Sequence, residues 1–292
     1  MTALLVTSLA GLCGWCASTC MAASLARQPA VETPPTAQAL DTRDFTIPGT
    51  AFTVTLVRCP GRDGANDEPA IGDLYVLPTE VAWDLYDVFV YRLDLPADQG
   101  DADATSRPSK PYVPPDRGFG HRGFPAMGMT RDAAIAFCDW INERTGVPAR
   151  LPTPAEWTHL ARADGDGDFG QGLDVSDAAT FAWSQPWAGR QTRAAAKGTA
   201  NAFGLYDMHG NVAEWVFTNE GRPIAMGGSY REPIGACTAT STMRQRFSWN
   251  ESDPQIPKSN WWLADCSWVG FRFVVDADQW PKDEQNEEHT DE

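Results

Sequence analysis

The stretch Asp207-Met-His-Gly-Asn-Val-Ala-Glu214 carries two carboxylates on either side of Gly210, where the backbone must turn sharply. Such a turn can present the side-chain oxygens of Asp207 and Glu214 beside the carbonyls of Gly210 and Val212. Hard oxygen donors on an irregular loop suit Ca2+, so these four residues make a candidate calcium site. The competing reading is that both carboxylates accept backbone N–H groups and hold no metal. Asp164-Gly-Asp-Gly-Asp168 has a similar look, but its sixth position is Phe169 and no acid stands at the twelfth. It reads as a solvated loop.

Four cysteines, Cys59, Cys138, Cys237 and Cys266, lie in the body of the chain, and Cys13, Cys16 and Cys20 lie near its start. The body cysteines form no paired CxxC units, which argues against structural zinc. One or two disulfides would suit an exported protein, and spacing alone does not fix their connectivity. Arg244 and Arg246 follow Cys237 and are candidates to line a cleft; salt bridges to the acidic body are the alternative. His121, His159, His209 and His289 form no zinc cluster and no Ser–His–Asp pattern, and no glycine loop is built to cradle a phosphate.

These groups sit in a chain of 292 residues, 42% hydrophobic and 21% charged, enough for one large globular domain with a core. The net charge of −16 and the lack of a basic stripe exclude a nucleic-acid backbone as partner. Residues 1–26 read as a signal peptide or N-terminal anchor: an apolar run too short for a comfortable span, ending in small residues near Ser24-Leu-Ala26. No Lys or Arg precedes Arg27. This leader points to a secreted or periplasmic, cell-envelope protein and not to a multi-span membrane protein. Residues 27–42 are rich in Pro, Ala, Thr and Gln and read as a flexible linker. Residues 277–292 read as an acidic tail.

Between them, residues 43–276 make the domain. Ala51-Phe-Thr-Val-Thr-Leu-Val57 alternates as a strand, and Leu74-Tyr-Val-Leu77 is a second. Thr79 to Phe89 has helical spacing with Thr79 as its cap. Thr130 caps a helix running to Asn142, stopped by Gly146-Val-Pro. Thr153-Pro-Ala-Glu156 opens another helix with Pro at the first position and a capping box. Long Pro-, Asp- and Gly-rich segments separate the rest. The pattern predicts an α+β fold with much irregular structure, few short helices and strands, and no internal repeat.

The order of several blocks resembles the formylglycine-generating enzyme, or sulfatase-modifying factor, family. They are Thr79-Glu-Val81, Asp132-Ala to Cys138-Asp-Trp140, Arg150-Leu-Pro-Thr-Pro-Ala-Glu-Trp157, Pro186-Trp187, Asn201-Ala-Phe-Gly-Leu-Tyr-Asp-Met-His-Gly-Asn-Val-Ala-Glu-Trp215, Gly227-Gly-Ser-Tyr230 and Gly270-Phe-Arg272. The resemblance spans about residues 45 to 275 and implies an elaborated C-type-lectin-like fold and a calcium at Asp207–Glu214. It also implies a disulfide between Cys138 and Cys266; a Cys237–Cys266 bridge is the alternative.

The family's chemistry uses two cysteines, three and eight residues after the Ser of Gly-Gly-Ser, which hold Cu(I), activate O2 and oxidise a substrate cysteine to formylglycine. Counted from Ser229, these positions are Glu232 and Cys237 here, and Ala213 stands where relatives often carry Trp. A thiolate beside a hard carboxylate is a poor Cu(I) site. The resemblance therefore implies a divergent member with Ser229, Glu232 and Cys237 at the catalytic position. It is expected to bind a peptide, protein or glycan in the cleft. The alternatives are an active oxidase acting on sulfatase cysteines, with copper at Cys237, and a calcium-dependent lectin-like module.

Overall fold

The computed structural model describes residues 40–64, 69–96, 106–111, 114–170, 172–219 and 221–282. The leader, nearly all of the linker, and the tail beyond Lys282 lie outside the described residues. No helix among the described residues is long and apolar enough to cross a membrane.

Strands β1 (Thr42–Thr46) and β2 (Thr53–Cys59) form an antiparallel hairpin, with Thr42 opposite Val57 and Thr46 opposite Thr53. β1 thus starts on the last residue assigned to the linker. Alternation along β2 buries Val54 and Leu56 and exposes Thr53, Thr55 and Arg58. β3 (Leu74–Val76) follows, then helices α1 (Trp83–Val90), α2 (Arg131–Thr145), α3 (Pro154–Arg162) and the single turn α4 (Ala178–Phe181). The remaining strands are β4 (Ala213–Trp215), β5 (Ile224–Met226), β6 (Thr242–Arg244), β7 (Val269–Gly270) and β8 (Val274–Asp276). They form two four-stranded sheets, one antiparallel in the order β1-β2-β3-β8 and one mixed in the order β6-β5-β4-β7. The α+β class with short elements is the one the sequence predicts.

Local chemistry explains the helix ends. Thr130 Oγ1 accepts the Ala133 N–H at 3.0 Å, and Gly146 closes α2 at φ 72°. Thr153 and Glu156 exchange side-chain-to-backbone bonds around Pro154 at the start of α3. α1 differs from expectation. It starts at Trp83 after Ala82, with no side-chain cap, and Thr79 Oγ1 donates to the Glu80 carbonyl. Tyr86 and Phe89 of α1 and Phe137 of α2 pack with Phe271 and Phe273 in the main core. Fully burying each such ring is worth about 1.5–3 kcal/mol. Beyond α1, the Arg107 guanidinium meets the Asp94 carboxylate at 2.6 and 2.9 Å.

One ion pair joins both sheets. Arg272, between β7 and β8, grips Glu214 of β4 through Nε at 2.7 Å and Nη2 at 2.7 Å, with both side chains buried. Trp157 Nε1 of α3 donates to the same carboxylate at 2.8 Å. The remaining guanidinium hydrogens reach the carbonyls of Leu77, Pro78 and Tyr206. Gly270 is required beside it, because a Cβ there would lie 2.5 Å from the Ala126 carbonyl oxygen.

Glu80 lies buried near this pair, with Oε1 accepting from Asn211 Nδ2 at 3.1 Å. Burial first, then the neighbouring carboxylates Asp207 and Glu214, push its carboxyl well above the usual range and favour its neutral form. Two similar substitutions should therefore differ sharply. Glu214→Gln is expected to lower stability to denaturant by about 3–5 kcal/mol, since it strands a buried guanidinium. Glu80→Gln should stay within about 1 kcal/mol of the parent at neutral pH, since no charge is removed. Equal losses would refute this assignment of charge.

Candidate functional site

The Asp207–Glu214 segment does turn sharply: Asp207, Gly210 and Asn211 have φ of 55°, 98° and 54°. A Cβ on Gly210 would collide with the Trp183 carbonyl, so glycine is needed there. The carboxylates, however, are engaged. Asp207 accepts Arg193 Nη2 at 2.7 Å and the Ala196 N–H at 2.8 Å, and Glu214 is held by Arg272 and Trp157. Both negative charges are compensated by guanidinium groups and all four oxygens have donors. Asp207, Gly210, Val212 and Glu214 do not fit a calcium site in this arrangement. Among the described residues no group of three or more His, Cys, Asp and Glu could hold a metal ion. Asp164, Asp166 and Asp168 are exposed, as a solvated loop would have them.

Ser229, Glu232 and Cys237 do come together. Gly227 and Gly228, at φ 85° and 67°, lead the chain into Ser229. The Ser229 hydroxyl and N–H both donate to Glu232 Oε2, at 2.5 and 3.1 Å. Cys237 follows a 3-10 turn at Ile234–Ala236 and is fully buried, with its sulfur 3.7 Å from the Ser229 and Pro233 carbonyl oxygens. Burial, then the nearby Glu232, push its thiol up to about 12. A Cβ on Gly228 would lie 2.6 Å from that sulfur, so the glycine makes room for it. A protonated thiol against carbonyls, with a carboxylate turned onto a serine, does not fit Cu(I), which wants soft thiolates.

The four body cysteines are all free and buried. The expected Cys138–Cys266 disulfide is therefore not formed, nor is the alternative from Cys237. Cys138 and Cys266 sit in the main hydrophobic core as small apolar side chains, and burial raises both thiols.

Glu232 lines a groove of about 720 Å3 whose walls also include Arg231, Arg244, Arg246, Trp249 and Trp268. The structure thus brings Arg244 and Arg246 beside the Ser229–Glu232 pair. The alternative of salt bridges to the acidic body is not realised: neither arginine has an ion pair among the described residues. The Arg231 guanidinium lies 3.9 Å over the Trp268 ring. Sequence reasoning missed Arg231, Trp249 and Trp268. Arg231 was within sight, next to Tyr230 of the glycine motif, while the tryptophans were indistinguishable among twelve. A separate cavity of about 320 Å3 is lined by Lys110, Pro115, Arg117, Met127, Trp262 and Leu263, among others.

His209 was also missed. It is buried edge-on to Phe169 and Phe181, and its Nδ1 pairs with the Cys237 carbonyl at 2.8 Å, joining the turn to the cysteine segment. Burial lowers its pKa from 6.5 to about 4. Two outcomes follow. The melting temperature should be the same in Ca2+ and in EDTA; a calcium-dependent rise would contradict the guanidinium-saturated geometry. Because the His209 pKa is depressed on folding, its contribution is complete above pH 6.5 and is lost as pH falls toward 4. Between pH 7 and pH 4 the parent should lose about 3 kcal/mol more than His209→Asn, measured by denaturant unfolding.

The model of the sulfatase-modifying factor enzyme 1-like domain matches residues 32–277. A formylglycine-generating enzyme of Mycobacterium tuberculosis is 31% identical over 108 residues, 33% of this chain and 34% of that protein. The serine/threonine-protein kinase pkn1 of Chlamydia caviae is 33% identical over 100 residues, 33% of this chain and 14% of that protein. The matched segments thus span about a third and a seventh of those two relatives. Among solved structures, the Treponema denticola variable protein 1 aligns with a TM-score of 0.55 and 17% identity, over 80% of this chain and 99% of that one. PvdO of Pseudomonas aeruginosa aligns at 0.53 and 19% over 80% and 98%, and CarF at 0.52 and 18% over 76% and 98%. At such identities these three show a shared fold. With the family model covering nearly all of the described residues, the chain belongs to the sulfatase-modifying factor, or formylglycine-generating enzyme, family.

Proposed function

We propose that this member binds a peptide, protein or glycan and does not oxidise cysteine: an exported domain whose working surface is the groove beside Glu232. One observation carries the reading. Glu232 occupies the position of the first copper thiolate, and its carboxylate is fastened to Ser229 at 2.5 Å. The same contact that closes the Ser229 hydroxyl keeps a hard oxygen where the family's chemistry needs soft sulfur. Cys237 supports it as well, since a fully buried thiol raised to about 12 carries almost no thiolate at neutral pH. The groove supplies what a binding site needs instead: exposed cations beside Trp249 and Trp268. The leader ending near Ala26 supports export.

The test is turnover. Purified protein supplied with Cu(I), O2 and a Cys-x-Pro-x-Arg peptide is expected to leave the cysteine intact by mass spectrometry. Conversion of that cysteine to the aldehyde would overturn the proposal in favour of the oxidase.

A further inference from the structure

The groove's composition and the free edge of its sheet, taken together, specify a ligand. β6 is the outer strand of the mixed sheet and pairs only with β5. The Gly227 N–H donates to the Ser241 carbonyl and the Gln245 N–H to the Pro223 carbonyl. In an antiparallel ladder this alternation assigns the backbone groups of Ser241, Met243 and Gln245 to β5. The N–H and C=O of Thr242 and Arg244 then point away from the sheet. Among the described residues no backbone group pairs with them. An exposed strand edge of this kind accepts an extended chain as an added strand.

Two of the exposed side chains along that edge are cationic. Thr242, Arg244 and Arg246 follow one another at the two-residue period of a strand, and all three are exposed, while Met243 between them is half-buried. Arg231 stands across the groove on Trp268. Arg246 also borders a second groove, which holds Arg222 and Lys258. Arg222, Arg244 and Arg246 have no ion pair among the described residues. The chain as a whole carries 39 acidic and 23 basic residues, so this local grouping of cations runs against its net charge. Three arginines against the single carboxylate of Glu232 line the groove along this open edge, and that balance complements an anionic partner.

We propose that β6 takes up an extended acidic segment of a partner protein, adding it as a fifth strand. The inference rests on the binding reading above and gives it a ligand class. Backbone groups of the segment pair with Thr242 and Arg244. Acidic side chains at alternate positions then lie on the Arg244 and Arg246 face as cross-strand ion pairs, and Trp249 and Trp268 floor the groove.

The test measures fluorescence anisotropy of a labelled peptide of roughly ten residues with Glu alternating with Thr, long enough to cover the edge. Parallel probes are the same peptide with Lys for Glu, the acidic peptide N-methylated at alternate residues to block strand addition, and a sulfated oligosaccharide. The acidic peptide is expected to bind more weakly as salt rises, and to lose about tenfold or more with Arg244→Glu or with N-methylation. Arg244 is exposed, so its variant should keep the parent's circular dichroism and melting temperature. Equal binding of the Lys peptide, indifference to N-methylation, or binding of the oligosaccharide with none of the acidic peptide would overturn the proposal. Failure of these peptides without aldehyde formation in the copper assay removes only the ligand class; aldehyde formation removes the binding reading itself.

Discussion

A fully buried guanidinium can exist in this fold only because every one of its hydrogens has somewhere to go. Arg272 meets Glu214 through two parallel bonds, and its other donors end on the carbonyls of Leu77, Pro78 and Tyr206. Trp157 completes the carboxylate from α3. Five separate pieces of chain therefore converge on one pair: β4, the β7–β8 link, α3, the turn after β3, and the segment leading to Asp207. Little regular structure holds these pieces otherwise, for most strands are three residues long or shorter. Desolvating two charges is costly, and such a pair favours folding only when its geometry is complete. That completeness is what fixes how the two sheets and α3 meet.

The pair also decides what the surrounding motif can do. With Glu214 given to Arg272 and Asp207 given to Arg193, the carboxylates most suggestive of a cation site serve to neutralise the protein's own arginines. The turn at Gly210 then has a mechanical task. It brings His209 to the Cys237 carbonyl and places Asn211 against Glu80, so the cysteine segment and the chain leading into α1 are registered against the same loop. Family motifs that could pass for a metal centre are here the frame that carries the Ser229–Glu232 pair and the groove outside it.

What the sequence revealed divides along the range of the interactions. The start of α3 was legible because Thr153, Pro154 and Glu156 encode it within four residues. The cap of α2 and its glycine stop are equally local. The start of α1 was misplaced, since Thr79 turns its hydroxyl to the Glu80 carbonyl instead of capping the helix. The partners of Asp207 and Glu214 lie 14 and 58 residues away, so composition of the turn alone could not tell a calcium ligand from an ion-paired carboxylate. The same holds for the cysteines. Motif order implied a bridge from Cys138 to Cys266, but whether two thiols bond depends on the approach of distant segments, and both are free in the core. Glu232 was legible as a departure from the copper pair; that it closes onto Ser229 was not. Arg244 and Arg246 were legible as cleft residues only in outline, because the groove needs Trp249, Trp268 and the open edge of β6 to exist.

The proposed function depends on a carboxylate fastened to a serine where the family has a soft donor, beside a buried thiol that is a poor ligand for Cu(I). Competition against a chromophoric Cu(I) chelator reads this directly, without needing a substrate. The protein is expected to take no copper from the chelator, and Cys237→Ser to leave the titration unchanged. Stoichiometric removal of copper by the parent, abolished by Cys237→Ser, would contradict it.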